Sequence, residues 1–269
     1  MPPWSHRDGR ATSHFAPRGS GVKFAFLAGI NAGPVALFLV PSPIAIIRFC
    51  LLAPAALDAA PDLFDGFSGE WRQHWREERF LTKPTDYAVA IDEAGRRVLH
   101  AHSEAANAGL VRRFEVIAPT AAVLRWRWKV AAALTGNKAE RTRGGDDYAA
   151  RVFVVFETSV WPLRTRAINY VWAGHEPEGA VFPCPYTRSV GMIVVRSGDG
   201  EAGVWREERR DVWADYKKFF GEPPARISAV AVLVDTDNTG LAAEAWFAEL
   251  SLETVPAAKV KDEAEVTTR

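Results

Sequence analysis

The residues able to do chemistry in this chain gather in a few short stretches. The sharpest is Asp235-Thr236-Asp237-Asn238-Thr239-Gly240, six small residues rich in side-chain oxygen at the end of an apolar run. Carboxylate and amide oxygens are what a hard divalent cation such as Ca²⁺ selects, which makes Asp235, Asp237 and Asn238 candidate metal ligands. The same composition also builds an ordinary turn, because Asp and Asn hydrogen-bond their own backbone and Gly tolerates positive φ. Direct contact with an organic ligand is the third reading. An EF-hand loop is excluded, since its Glu and its spacing are missing.

A second stretch, Gly144-Gly145-Asp146-Asp147-Tyr148-Ala149-Ala150-Arg151, opens on glycines and enters a long apolar run. Adjacent Asp146 and Asp147 point to opposite sides of an extended chain, so they form an acid/base pair only if the turn twists them together. Asp147 and Arg151 share a strand face, which predicts either a surface ion pair or a ligand clamp. His100 and His102 have the spacing of a two-His metal site on one strand, but no third ligand is identifiable. Trp161, Trp172, His175 and Tyr186 fall in or beside loops, where exposed rings would line a ligand lip. Cys184 reads as a lone thiol, and Cys50 is too distant to share a metal with it. A phosphate loop, a G-x-S-x-G elbow, an H-E-x-x-H helix and a CxxC pair are all missing, which argues against nucleotide enzymes, serine hydrolases and zinc proteases.

These residues must be positioned by strands. Ten β-type runs lie at 87–92, 97–103, 110–116, 123–130, 148–157, 167–173, 190–198, 204–212, 227–235 and 243–253, with turn residues between them. Their spacing and the near absence of helical periodicity predict an all-β antiparallel β-sandwich with one short helix near 213–220. In residues 123–130, Leu124, Trp126, Trp128 and Val130 share the face expected to enter the core, while Arg125, Arg127 and Lys129 share the other. That basic face is either solvated or lines a polar concave surface. Residues 227–235 are apolar on both faces and predict a central strand. Residues 204–212 carry charge on both faces and predict an edge strand.

The chain carries 33 basic and 33 acidic residues, so it is formally neutral and a nucleic-acid partner is disfavoured. The balance is uneven along the chain. Residues 1–61 hold five basic and two acidic side chains, and an uncharged stretch runs from 24 to 47. A basic start followed by an apolar stretch and small residues predicts an export signal, with an N-terminal membrane anchor or a disordered extension as alternatives. The organisation expected is therefore residues 1–61 outside the fold, a sandwich domain over 62–254 and a disordered tail at 255–269. The expected location is the periplasm or another exported compartment.

The blocks at 124–130, 146–157, 168–172, 205–224 and 229–247 together resemble the bacterial domain-of-unknown-function 3047 family, over about residues 68–253. That resemblance implies an exported protein and no particular activity. The closing run AEAWFAELSLE is similar to the last strand of galactose-binding-like jelly rolls and carbohydrate-binding modules. The fold expectation is therefore a jelly roll, and the functional expectation leans to binding.

The leading functional expectation is non-catalytic binding of a carbohydrate or other cell-envelope ligand, with Arg127, Asp147, Arg151, Tyr170, Trp172 and Asp237 as contacts. One alternative is a glycoside hydrolase or lyase drawing carboxylates from Asp147, Glu157, Glu207, Asp235 and Asp237. The other is an envelope scaffold or assembly subunit. The one cofactor suggested is Ca²⁺.

Overall fold

The computed structural model describes residues 71–80, 82–117, 121–158 and 165–255. The expectations for 1–61 and for the tail beyond 255 lie outside the described residues. No helix of the described residues is long and apolar enough to cross a membrane. The chain opens with a short helix α1 (Trp71–His74) and strands β1 (Arg76–Arg79), β2 (Asp86–Ile91), β3 (Arg97–Glu104), β4 (Asn107–Ile117) and β5 (Ala121–Val130). It continues through β6 (Tyr148–Glu157), β7 (Thr165–Ala173), β8 (Val181–Cys184), β9 (Thr187–Ser197) and β10 (Arg206–Asp211). Helix α2 (Val212–Phe220) then leads to β11 (Arg226–Asp235) and β12 (Ala242–Val255).

The strands form a seven-stranded sheet in the order β1-β4-β11-β6-β7-β9-β8 and a five-stranded sheet in the order β10-β5-β12-β3-β2. The result is a two-sheet β-sandwich, and all ten expected strands are present. One pairing departs from the antiparallel expectation: β7 and β9 run parallel. The loop after Ala173 and the short β8, which pairs antiparallel with β9, return the chain so that β9 starts again in the direction of β7. As expected, β11 is a central strand and β10 an edge strand; β11 lies between β4 and β6.

Alternation on β5 determines how the sheets meet. Trp126 and Trp128 point inward and are fully buried, edge to face with ring centroids 5.5 Å apart. Trp126 packs on Tyr170 at 5.3 Å and Trp128 on Trp172 at 5.7 Å, so β5 of one sheet is joined to β7 of the other by four rings. Aliphatic residues of β6 and β11, among them Val152, Val154, Val230 and Val232, extend this core. The opposite face of the seven-stranded sheet carries a second apolar cluster that includes Phe153, Val171, Met192, Ala231 and Leu233. Two apolar faces explain why β6 is buried at every position.

Helix α2 closes one end. Asp211 caps its start by accepting from the Ala214 N–H at 2.9 Å, and Gly221 ends it in the left-handed region at φ 81°. Tyr216 packs on Phe156 with centroids 4.6 Å apart. Phe219 lies over Gly191 of β9, where an added Cβ would come within 2.8 Å of its ring. The Gly191→Ala substitution is therefore expected to overpack this contact and cost about 1–3 kcal/mol, read as a lower urea midpoint. Pairing it with Phe219→Leu should recover part of the loss.

Candidate functional site

Strand β11 ends in Asp235, directly opposite Asn107 of β4 on one side and Tyr148 of β6 on the other. Asp235 is fully buried. Its Oδ1 accepts from the Tyr148 N–H at 3.2 Å and from Arg151 Nε at 2.7 Å, and its Oδ2 accepts from Arg151 Nη2 at 2.9 Å. Arg151 Nη2 also donates to the Asp146 carbonyl and to its carboxylate. Burial alone would lower the Arg151 pKa, but Asp146 and then Asp235 outweigh it and hold the guanidinium above its ordinary range.

This corrects the expected Asp147–Arg151 surface pair. Alternation indicates which residues share a face but not whether that face meets water, and here β6 is covered on both sides. Arg151 therefore pairs with Asp235 and Asp146, whereas Asp147 turns to the loop after β11. Asp147 Oδ2 accepts from the N–H groups of Asn238 and Thr239 at 3.0 and 2.6 Å and from Thr239 Oγ1 at 2.7 Å. Asn137 Nδ2 donates to the Gly145 and Asp147 carbonyls, pinning the turn that delivers Asp147. Gly145 is required there, because a Cβ would sit 2.3 Å from the Ala139 carbonyl oxygen.

Asp237 is half-buried and accepts from Asn107 Nδ2 at 3.2 Å. Asn238 Nδ2 donates to the Tyr186 hydroxyl at 3.2 Å. Asp147, Asp235 and Asp237 each present one carboxylate oxygen, and the three lie within 4.8 Å of one another. The tertiary structure thus brings Asp147, Arg151, Asp235, Asp237 and Asn238 to one corner.

Tyr170 and Trp172 are elsewhere. Both are fully buried in the four-ring core, and their polar atoms serve the protein. The Tyr170 hydroxyl donates to Asp215 at 2.8 Å, and Trp172 Nε1 donates to the Gly198 carbonyl at 3.1 Å. The expectation that they contact a ligand is corrected, because β7 is an interior strand and these residues face the Trp pair of β5. His175 Nε2 lies 2.6 Å from the Thr135 carbonyl, and the Tyr186 hydroxyl donates to the Arg143 carbonyl at 2.8 Å. Trp161 lies outside the described residues. Cys184 is a free thiol, pushed up to about 12 by burial and by the neighbouring Asp146 carboxylate.

Arg127 belongs to a different surface, the outer face of the five-stranded sheet. Pairing places His100 of β3, Trp246 of β12 and Lys129 of β5 side by side across three strands. Trp205, the residue before β10, continues the row. The His100 and Trp246 rings stack at 5.0 Å and 20°. Lys129 Nζ sits 4.7 Å from the Trp246 centroid and 5.5 Å from that of Trp205, and the Arg127 guanidinium lies 5.2 Å from Trp205.

The three basic side chains of β5 on this face each have an acid beside them. Lys129 pairs with Glu93 at 2.5 Å, Arg127 with Glu249 at 2.8 Å and Arg125 with Glu253 at 3.0 Å. Glu249 also takes Arg96, and it is aimed outward by a bulge at φ 51°. His100 Nε2 and His102 Nδ1 lie 3.6 and 3.4 Å from one Glu244 oxygen, so Glu244 is the third acid/base group that spacing alone does not reveal. Trp205, Trp246 and Glu249 are the site residues that sequence reasoning misses. The alternation of AEAWF could have placed Trp246 and Glu244 outward; the bulge at Glu249 has no comparable signal.

Residues 73–251 match the family model described as Protein of unknown function (DUF3047), and the chain belongs to that family. No curated protein matches it in sequence. Among solved structures, the chain is similar to the cellulose-induced protein Cip1, with TM-score 0.42 and 9% identity, covering 74% of this chain and 99% of that one. The xyloglucanase domain of NopAA from Sinorhizobium fredii, in complex with cellobiose, gives TM-score 0.40 and 9% identity over 67% and 92%. The enzymatically active domain of bacteriophage CBA120 tailspike protein 4 gives TM-score 0.36 and 8% identity over 68% of this chain, which spans only 19% of that one.

Two measurements check the buried corner. Arg151→Met should leave Asp146 and Asp235 without their guanidinium and cost about 3–5 kcal/mol, read from denaturant unfolding. Cys184 should resist thiol reagents at pH 8 in the native protein and react within seconds once it is unfolded, as its raised pKa and burial require.

Proposed function

We propose that this DUF3047-family protein is a non-catalytic binding protein for a carbohydrate or a similar cell-envelope ligand, and that the ligand lies on the outer face of the five-stranded sheet. The observation that carries this reading is the row His100, Trp246, Lys129, Trp205. It sets two partly exposed indole rings and an imidazole in line across neighbouring strands. Strands lie about 4.8 Å apart, so the three steps from His100 to Trp205 cover roughly 14 Å, the reach of a short oligosaccharide. The exposed parts of these indoles offer apolar surface to the C–H side of a sugar ring, and the surrounding side chains offer hydrogen bonds to its hydroxyls.

Charge narrows the ligand class. Arg125, Arg127 and Lys129 are paired with Glu253, Glu249 and Glu93, so these cations exert little net pull on an ionic polymer. A neutral glycan suits it better than an acidic one. Three of the five carboxylates considered for catalysis favour binding as well. Asp147 and Asp235 are fully buried and hydrogen-bonded, and Glu157 is held by Arg226. The N-terminal sixty residues support export, which would bring such a protein to envelope polysaccharides.

Calorimetry and glycan arrays with neutral and acidic oligosaccharides test this reading. Removing a central aromatic anchor typically costs about 2 kcal/mol, so Trp246→Ala is expected to weaken binding roughly thirtyfold, with Trp205→Ala acting in the same direction. Affinity should change little between 50 and 300 mM salt. Binding that survives intact in the Trp205→Ala/Trp246→Ala double variant would falsify the assignment of the face.

A further inference from the structure

We propose that the corner built by Asp147, Asp235, Asp237 and Asn107 is a binding site for a Ca²⁺-type divalent cation. It is independent of the glycan face. The three carboxylates come from three separate places, the entry to β6, the end of β11 and the loop beyond it, and they present oxygens within 4.8 Å of one another. Ca²⁺ holds its ligands at 2.3–2.6 Å, so two oxygens on opposite sides of the ion stand about 4.6–5.2 Å apart. Oxygens no more than 4.8 Å apart fall within reach of one such ion. Mg²⁺ dehydrates reluctantly and is seldom bound by all-protein cages, so it is expected to bind more weakly here.

Clustered acids alone would be weak grounds, and the independent observation is Asn107. This residue is fully buried, and its Nδ2 donates to Asp237. Its Oδ1, on the same amide, accepts no hydrogen bond. Asn107 stands directly opposite Asp235 in the β4–β11 pairing, and the amide that carries this oxygen touches Asp237 through its Nδ2. A buried carbonyl oxygen without a partner is costly, and the partner that a carbonyl beside carboxylates accepts most readily is a hard cation. Exchanging the amide N and O does not remove the problem. It would leave an unserved NH₂ and set an oxygen against the Asp237 carboxylate, an arrangement that itself calls for a cation between them.

The site differs from the one read in sequence. Asp147 and Asn107 join Asp235 and Asp237, whereas the Asn238 amide turns to Tyr186. Asp237, being half-buried, marks the way in. A bound cation would tie β4, β6 and β11 together at one end of the seven-stranded sheet, and its effect should therefore be seen in stability.

The test uses the full chain, stripped with a chelator and titrated with CaCl₂ or MgCl₂. Calorimetry should give a Kd for Ca²⁺ of about 0.1–1 mM, the range of extracellular modules, with Mg²⁺ weaker. At 10 mM CaCl₂ the melting temperature should rise by a few degrees, because a ligand of the folded state stabilises it by mass action. Tb³⁺ should show luminescence sensitised by the nearby tyrosines Tyr148 and Tyr186 and be displaced by Ca²⁺. Asp237→Asn should lower the Ca²⁺ affinity at least about tenfold. No binding heat and no shift in the unsubstituted protein at 10 mM Ca²⁺ would overturn the proposal whether or not the variant folds. An equal Ca²⁺ response in Asp237→Asn would overturn it as well.

Discussion

The structure depends on the period-two alternation of β5. One face of this strand carries Leu124, Trp126, Trp128 and Val130, and the other carries Arg125, Arg127 and Lys129. The indoles lock onto Tyr170 and Trp172 of the facing sheet, and that contact fixes the distance and angle at which the sheets stack. The cations are then held outward, where they meet Trp205 and Trp246. Core and candidate binding face are thus two sides of one strand. A slip of one residue would exchange them.

Three charged groups drawn into this sandwich are closed off by protein partners. Glu208, the inward residue of the edge strand β10, accepts from Trp128 Nε1 at 3.0 Å and from Arg196 Nε at 2.7 Å. Asp215 of α2 receives both Arg210 and the Tyr170 hydroxyl. Asp235, Arg151 and Asp146 form the third such group. Each buries charge among aromatic rings, and an unpartnered charge there would cost several kcal/mol. They make geometry specific more than they add stability: a displaced α2 or a slipped β11 would strand a carboxylate in the core.

Much of the fold was legible in the residues. The apolar faces of 227–235 announced a central strand, the charges of 204–212 an edge strand, and the run near 213–220 a short helix. The parallel β7–β9 pair was not legible, because strand direction depends on how the intervening loop returns, and local pattern carries no record of that. The candidate site was legible only in pieces. Asp147, Arg151, Asp235 and Asp237 were singled out and do come together, yet the partner of Arg151 was misassigned. Tyr170 and Trp172 have the chemistry of ligand contacts and the location of core residues.

By itself, the sequence determined which side chains share a face, since alternation is a property of the extended backbone and needs no neighbour. It also determined where turns fall, because Asp, Asn and Gly impose their own backbone preferences. Only the tertiary structure decided which faces meet water, which strand lies beside which, and hence which residues form a site. His100, Trp246, Lys129 and Trp205 are far apart along the chain and become a row solely through the registers of β3, β12, β5 and β10. Asn107 meets Asp235 for the same reason. Pairing between distant strands is chosen by the packing of the whole core, so the chemistry that depends on it appears only once the sandwich has closed.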